Sequence, residues 1–143
     1  VVPSARFGGI EHDHARNIRH LLAALSGVAD RRARFLCTLV LVPGAGLPPL
    51  PTGDALPPGV SPLPDGIPGL VAVGEVTGEI IDTPRGTGGF GYDPIFLRPD
   101  LGRTFAEIHT QDKNGLSHRG VAIGAMRPVL DRLAREAATA TGG

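Results

Sequence analysis

The chain has 143 residues, 41% of them apolar and 20% charged, which is typical of a globular domain. Its formal net charge is zero, so a nucleic-acid partner, which needs a basic surface, is not expected. No apolar stretch is long enough to cross a bilayer, and the single cysteine permits no disulfide within the chain. We therefore predict one cytoplasmic domain over residues 1–143, with neither a membrane nor a nucleic-acid partner.

The amino-terminal part predicts one amphipathic helix, from Glu11 to Leu25. Its apolar side chains follow the i, i+3, i+4, i+7 spacing of a single helix face. They are Ile18, Leu21, Leu22 and Leu25. Three histidines occur in this region, but none of their pairs has the i, i+4 spacing of a helical zinc site, so we predict solvent-exposed histidines. Arg6 is a candidate partner for a phosphate or carboxylate, with an ordinary exposed arginine as the alternative.

Two apolar stretches predict neighbouring strands that form a long hairpin. Arg34–Val42 is almost continuously apolar, which predicts a strand buried on both faces, with Cys37 as a small buried side chain. Leu70–Ile81 predicts one or two further strands, in which Gly74 and Gly78 mark a bulge or bend.

The connection between these strands, residues 43–68, holds nine prolines and five glycines. This composition favours a semi-rigid loop or a polyproline II segment over regular hydrogen-bonded structure. We predict an inserted Pro/Gly-rich loop that buries little apolar surface.

Residues 86–96 read Gly-Thr-Gly-Gly-Phe-Gly-Tyr-Asp-Pro-Ile-Phe. Glycines permit a close backbone approach to a ligand, and an aromatic ring among them can offer its face to a flat ligand. The G-x-G-x-x-G spacing would indicate a dinucleotide site only if a helix followed, whereas Asp93–Leu97 predicts a strand, because Asp93 precedes proline. A glycine-rich hairpin loop without a ligand is the alternative.

The carboxyl-terminal part predicts a helical turn over Thr110–Asn114 and a long helix that Ser117 caps and that ends near Ala138. Pro128 lies too deep for the first helical turn, which predicts a kink or a restart there. Lys113 is the only lysine beside thirteen arginines. A compact ammonium at that position indicates a contact to a phosphate or a keto oxygen, with chance as the alternative.

Two of these segments carry a resemblance to a known family. The segments are Gly88–Phe96, and then Lys113 followed by Ser117-His118-Arg119-Gly120. They resemble motifs of the inosine/xanthosine triphosphate pyrophosphatases, and they occur in the order and close to the spacing that this family shows. The resemblance implies an α/β fold with a long twisted mixed sheet flanked by helices, in two lobes with an active-site cleft. It also implies a homodimer that hydrolyses ITP, dITP and XTP to the monophosphate and pyrophosphate with Mg2+.

The resemblance implies a purine-recognition role for one set of residues, namely Phe90, Gly91, Tyr92, Asp93, Lys113, His118 and Arg119. Deaminated purines present a keto oxygen at C6 and an N1–H donor, whereas adenine presents the opposite pattern. Donors at His118 and Arg119 and an acceptor at Asp93 would therefore leave polar groups unpaired against adenine. The base would stack on Phe90, with Tyr92 as a candidate second ring, and Lys113 would contact the keto oxygen or a phosphate. Ordinary first-turn residues are the alternative for His118 and Arg119.

The resemblance covers only the downstream portion of the family. A Thr/Ser-x-Asn-x-x-Lys phosphate loop and an Asp-Asp-Ser-Gly acidic segment, both typical of the family, do not occur in these 143 residues. We therefore expect an incomplete sequence without catalytic residues of its own, the general-base aspartate lying upstream, and little activity from this chain alone. One alternative is a non-catalytic purine-nucleotide-binding remnant. Another is the related septum-inhibitor-like branch, which lacks Ser-His-Arg.

Overall fold

The computed structural model describes Phe7, Gly9 and residues 13–141, and these residues form a five-stranded sheet and three α-helices. The predicted α/β class is confirmed. Over the described residues the elements, in chain order, are α1 (His14–Ala24), β1 (Arg32–Leu41), β2 (Val60–Pro62), β3 (Leu70–Ile80), β4 (Phe96–Arg98), β5 (Arg103–Thr104), α2 (Thr110–Leu116) and α3 (His118–Thr141). Arg6 lies outside the described residues.

The strands follow the order β1-β3-β4-β5, and β2 also pairs with β3. The pairs β2–β3, β3–β4 and β4–β5 are antiparallel, with Val60 opposite Ala72 and Ile80 opposite Phe96. The two long strands predicted from the apolar stretches are indeed neighbours in the sheet. β3 is one continuous strand, so Gly74 and Gly78 lie within it rather than at its ends.

The chain folds into two compact units. The first contains the described residues up to Arg34 together with Thr77–Lys113, and the second contains Phe35–Val76 and the described residues from Asn114 onward. The three boundaries between the units fall within β1, β3 and α2. Each unit has its own buried side chains.

The core of the second unit lies between α3 and one face of the strands. Its buried members are Val60, Leu70, Ala72, Met126, Val129 and Leu133. β1 contributes only alternate residues to this cluster, among them Leu39 and Leu41. The opposite face of β1 is exposed, with Leu36 at 50% and Val40 at 48% of their full accessibility. The prediction that β1 is buried on both faces was therefore wrong, and Cys37 is only partly buried.

The Pro/Gly-rich segment also differs from its prediction. It contains the strand β2 and two 3₁₀ turns, Gly53–Ala55 and Pro64–Gly66. Val60 is buried in the core of the second unit, and Leu50 and Leu56 pack against that core. The prediction that the segment buries little was wrong, because pairing with β3 satisfies its backbone and carries Val60 inward.

The first unit is built around two aromatic rings. Phe96 on β4 and Phe105 just after β5 stack with their centroids 5.1 Å apart, and both are almost fully buried. A Cβ at Gly78 of β3 would lie 2.6 Å from the Phe96 ring. Gly78 is therefore explained by the close approach of this ring, and not by a bulge in the strand.

Local signals set the helix ends largely as predicted. α1 begins after Asp13, whose side chain accepts a hydrogen bond from the backbone N–H of Arg16 at 2.9 Å. Ser117 caps α3, as predicted, because its hydroxyl accepts from the N–H of Gly120 at 3.1 Å. α3 is a single helix with Pro128 inside it, so the predicted restart was wrong.

Candidate functional site

The glycine-rich loop that follows β3 is fixed at its base by close backbone contact. Gly86 has φ +83°, and a Cβ there would lie 2.6 Å from the carbonyl carbon of Ala106. Two residues on, the N–H of Gly88 donates to the carbonyl oxygen of Ala106 at 3.1 Å. Neither site has room for a side chain. These two glycines therefore serve the attachment of the loop.

Arg85, Thr104 and Glu107 reinforce this attachment through a polar network. The Thr104 hydroxyl donates to the Arg85 carbonyl at 2.8 Å, and the Arg85 guanidinium donates to the Glu107 carboxylate at 3.1 Å. The same carboxylate accepts from the N–H of Thr104 at 2.8 Å. The hydrogen bond from Thr104 and, after it, the charge of Arg85 lower the pKa of Glu107 below its ordinary value.

The sequence analysis did not identify this network as part of the candidate site. Thr104 and Glu107 form a capping box at the 3₁₀ turn Phe105–Glu107, and their spacing of three residues is the signal that could have revealed it. The partner Arg85 lies too far along the chain for such a local pattern. Its role appears only once the loop is folded.

The tip of the loop is held by Asp93. Its carboxylate accepts a hydrogen bond from the N–H of Phe90 at 3.0 Å, and its own N–H donates to the carbonyl of Phe90 at 3.2 Å. Asp93 is only 5% exposed, whereas Phe90 is 52% exposed. A buried acid thus closes a tight turn that presents an aromatic ring at the surface of the unit.

Asp93 also starts a short helix, contrary to the sequence prediction. Asp93–Ile95 is a 3₁₀ turn with Pro94 in its first positions, and the strand β4 begins only at Phe96. The predicted strand over Asp93–Leu97 was therefore wrong at its first three residues. The hydrogen bonds to Phe90 and the burial of Asp93 outweigh the extended bias of a residue before proline, and proline itself is well suited to a first helical turn.

Gly91 and Tyr92 complete the turn. Gly91 has φ +61°, a conformation that favours glycine, and Tyr92 is partly buried. Burial raises the pKa of Tyr92 above its ordinary value of 10.0. Its hydroxyl therefore stays protonated near neutral pH and can donate a hydrogen bond.

The first turn of α3 carries the other group of predicted site residues. The imidazole ring of His118 stacks on Phe35 of β1, with the centroids 4.9 Å apart and the ring planes 17° apart. Arg119, the next residue, is exposed. Neighbouring residues on a helix point about 100° apart, so the two side chains diverge from a common helix start.

The predicted site residues thus fall into two local groups. Phe90, Gly91, Tyr92 and Asp93 form one turn in the first unit, and His118 and Arg119 share the start of α3 in the second. Lys113 belongs to α2, but its side chain lies outside the described part of the structure.

Within residues 13–141 and the two isolated residues before them, no group of three or more His, Cys, Asp or Glu side chains could hold a metal ion. In the same residues, no helix is both long and apolar enough to cross a membrane.

Comparison with known proteins gives consistent matches. A sequence model of the Ham1 family matches residues 1–129. The dITP/XTP pyrophosphatase of Aromatoleum aromaticum is 45% identical over 132 residues, which are 92% of this chain and 56% of that protein. The dITP/XTP pyrophosphatase of Paracidovorax citrulli is 43% identical over 117 residues, or 82% and 49% of the two chains. The chain thus spans about half the length of these relatives.

Solved structures of Ham1 proteins also match this chain. A Ham1 protein from Coxiella burnetii matches with a TM-score of 0.71 and 36% sequence identity, over 90% of this chain and 57% of that chain. The Ham1 protein of Staphylococcus aureus matches with a TM-score of 0.68 and 34% identity, over 90% and 56% of the two chains.

Proposed function

Because the chain belongs to the Ham1 family, we propose that it supplies the purine-recognition part of a nucleoside triphosphate pyrophosphatase. The reaction is hydrolysis of ITP, dITP or XTP, in which water attacks at the α phosphorus, the α–β phosphoanhydride bond breaks, and the monophosphate and pyrophosphate leave. The names of the relatives, dITP/XTP pyrophosphatase, support this substrate class.

The observation that carries the proposal is the turn held by Asp93. A half-exposed aromatic ring on a rigid, glycine-rich loop suits stacking on a flat heterocycle, since the ring loses little freedom when it binds. We propose that Phe90 is this platform. The carboxylate of Asp93 is buried and engaged with the backbone of Phe90, which supports loop closure as its first role and an acceptor for N1–H as an additional one.

The start of α3 offers the hydrogen-bond donors that a C6 keto oxygen requires. We propose that His118 and Arg119 provide them and that Lys113 contacts the keto oxygen or a phosphate. An adenine base would present its C6 amino group to these donors and leave them unpaired, which is the basis of selection against ATP.

A magnesium ion is implied by the family resemblance, but the described residues do not fit one. No three carboxylate, imidazole or thiolate side chains among them are grouped closely enough to hold a cation. No step is therefore assigned to a metal in this chain, whose own residues bind and orient the nucleotide. The alternative is a purine-nucleotide-binding protein of this fold without hydrolysis.

Nucleotide binding and product release test the two functions separately. We expect isothermal titration of the 143-residue chain to show a preference for ITP over ATP of about tenfold or more. Equal affinities, or no binding, would contradict purine recognition. Pyrophosphate release from ITP by the protein purified from its own cells would support the pyrophosphatase, whereas selective binding without hydrolysis would support the alternative.

A further inference from the structure

The imidazole of His118 is fixed by a ring from a neighbouring element of the second unit. Phe35 lies on β1, and its ring is nearly parallel to that of His118, with 17° between the planes and 4.9 Å between the centroids. The N–H bonds of an imidazole lie in the plane of its ring. A partner that holds the ring plane therefore also holds the direction in which His118 can donate a hydrogen bond.

The backbone of His118 is fixed as well, at Gly74 of β3. A Cβ at Gly74 would collide with the carbonyl oxygen of His118 and would lie 2.6 Å from the backbone nitrogen of Ala122. Only glycine lets the first turn of α3 lie this close to the strand. The helix start is thus pressed against β3, while the side chain of His118 is covered by β1.

We propose that Phe35 is a positioning residue for purine recognition, acting through the stacked ring of His118, with Gly74 setting the distance between the helix start and the sheet. This inference rests on the proposed role of His118 as a donor to the purine. Phe35 itself does not contact the nucleotide in this scheme. Its contribution is to restrict the rotation of the imidazole about its side-chain bonds before each binding event.

Four variants separate this role from simple core packing. Phe35→Leu keeps an apolar side chain but removes the ring, and Phe35→Tyr keeps the ring. Leu36→Ala changes the neighbouring residue, which is exposed on the opposite face of β1, and serves as the strand control. His118→Ala tests the donor itself.

The first measurement is the imidazole proton resonance of His118 in the free 143-residue chain. We expect an upfield ring-current shift relative to His109, which is exposed. The shift should vanish in Phe35→Leu and remain in Phe35→Tyr and Leu36→Ala. Absence of the upfield shift in the wild-type chain, or its persistence in Phe35→Leu, would show that Phe35 does not stack on the imidazole, and would overturn the proposal.

The second measurement is the ratio of ITP to ATP affinity, which a purely structural defect would not move. We expect Phe35→Leu to weaken ITP binding about three- to tenfold with little change for ATP, and Phe35→Tyr to restore the wild-type ratio. The proposal is overturned if His118→Ala lowers the ratio but Phe35→Leu does not, and the proposed function then still stands. If His118→Ala also leaves the ratio unchanged, the role of His118 in the proposed function fails and this inference fails with it.

Discussion

Asp93 and Phe90 are joined by a hydrogen bond of 3.0 Å from the Phe90 N–H to the Asp93 carboxylate. The acid is buried and the aromatic residue is half exposed. One residue of the loop therefore holds the shape, and the other carries a half-exposed ring. This division separates two properties that mutation can test independently, namely the stability of the loop and the binding of a base.

Replacing Asp93 with Ala should destabilise the protein, whereas replacing Phe90 with Ala should mainly weaken nucleotide binding. Asp93→Ala leaves the Phe90 N–H without its acceptor in a partly buried site, so we expect the free energy of unfolding to fall by about 1–3 kcal/mol. Asp93→Asn keeps an acceptor oxygen, so it should retain most of the stability while the preference for ITP over ATP shrinks. Denaturant unfolding and titration calorimetry measure the two effects. Wild-type stability in Asp93→Ala would contradict the loop-holding role.

The sequence predicted those features that depend on neighbouring residues. The period of the apolar side chains located α1, and the hydroxyl of Ser117 located the start of α3. The family resemblance drew attention to Phe90–Asp93 and to His118, although their roles stay predictions. Each of these signals is carried by residues within a few positions of one another, where spacing alone determines which side chains share a face or a turn.

Features that depend on distant pairing could not be predicted in the same way. The apolar run of β1 suggested burial on both faces, but α3 packs against only one of them. The strand β2 was not predicted within residues 43–68, because their prolines favour a loop and the pairing partner β3 comes later in the chain. The partnership of Arg85 with Glu107 joins residues 22 positions apart. Long-range contacts of this kind override local propensity, and no spacing rule reveals them.

Replacing Gly86 with Ala should loosen the attachment of the glycine-rich loop. The residue has a positive φ, and a Cβ there would lie 2.6 Å from the backbone of Ala106, so strain and collision act together. We expect the free energy of unfolding to fall by about 1–3 kcal/mol.

The matched control is Gly124→Ala in α3, where a Cβ would meet nothing within 4 Å. There the same substitution should stabilise the protein by about 0.5–1 kcal/mol, because alanine favours the helix. Equal effects of the two variants in denaturant unfolding would contradict the close contact at Gly86.

The lowered pKa of Glu107 predicts an acid-sensitive loop attachment. Because the folded pKa lies below the ordinary value of 4.5, the ionised carboxylate contributes stability at and above that pH. The contribution is lost as the pH falls through the folded pKa. Glu107→Gln removes this titration, so the difference in unfolding free energy between wild type and variant should narrow as the pH drops below 4.5.

The measurement is denaturant unfolding at a series of pH values from neutral to acid. Glu79→Gln, which removes one exposed carboxylate from β3 in the same unit, controls for the change in net charge. A constant difference between wild type and Glu107→Gln at every pH would show that the hydrogen bond from Thr104 and the ion pair with Arg85 do not depend on the charge of Glu107.

Arg119 provides the sharpest test of selectivity, because only a substrate with a keto oxygen at C6 uses its donors in the proposed scheme. We expect Arg119→Ala to cost about 2–4 kcal/mol for ITP, measured as binding by this chain or as kcat/KM in a complete enzyme. The binding or turnover of ATP should change much less, so selectivity falls through loss of the better substrate.

Arg127→Ala, which removes another exposed arginine of α3, is the control for charge. If Arg119→Ala weakens ITP and ATP equally, Arg119 contacts a phosphate or the fold instead of the base.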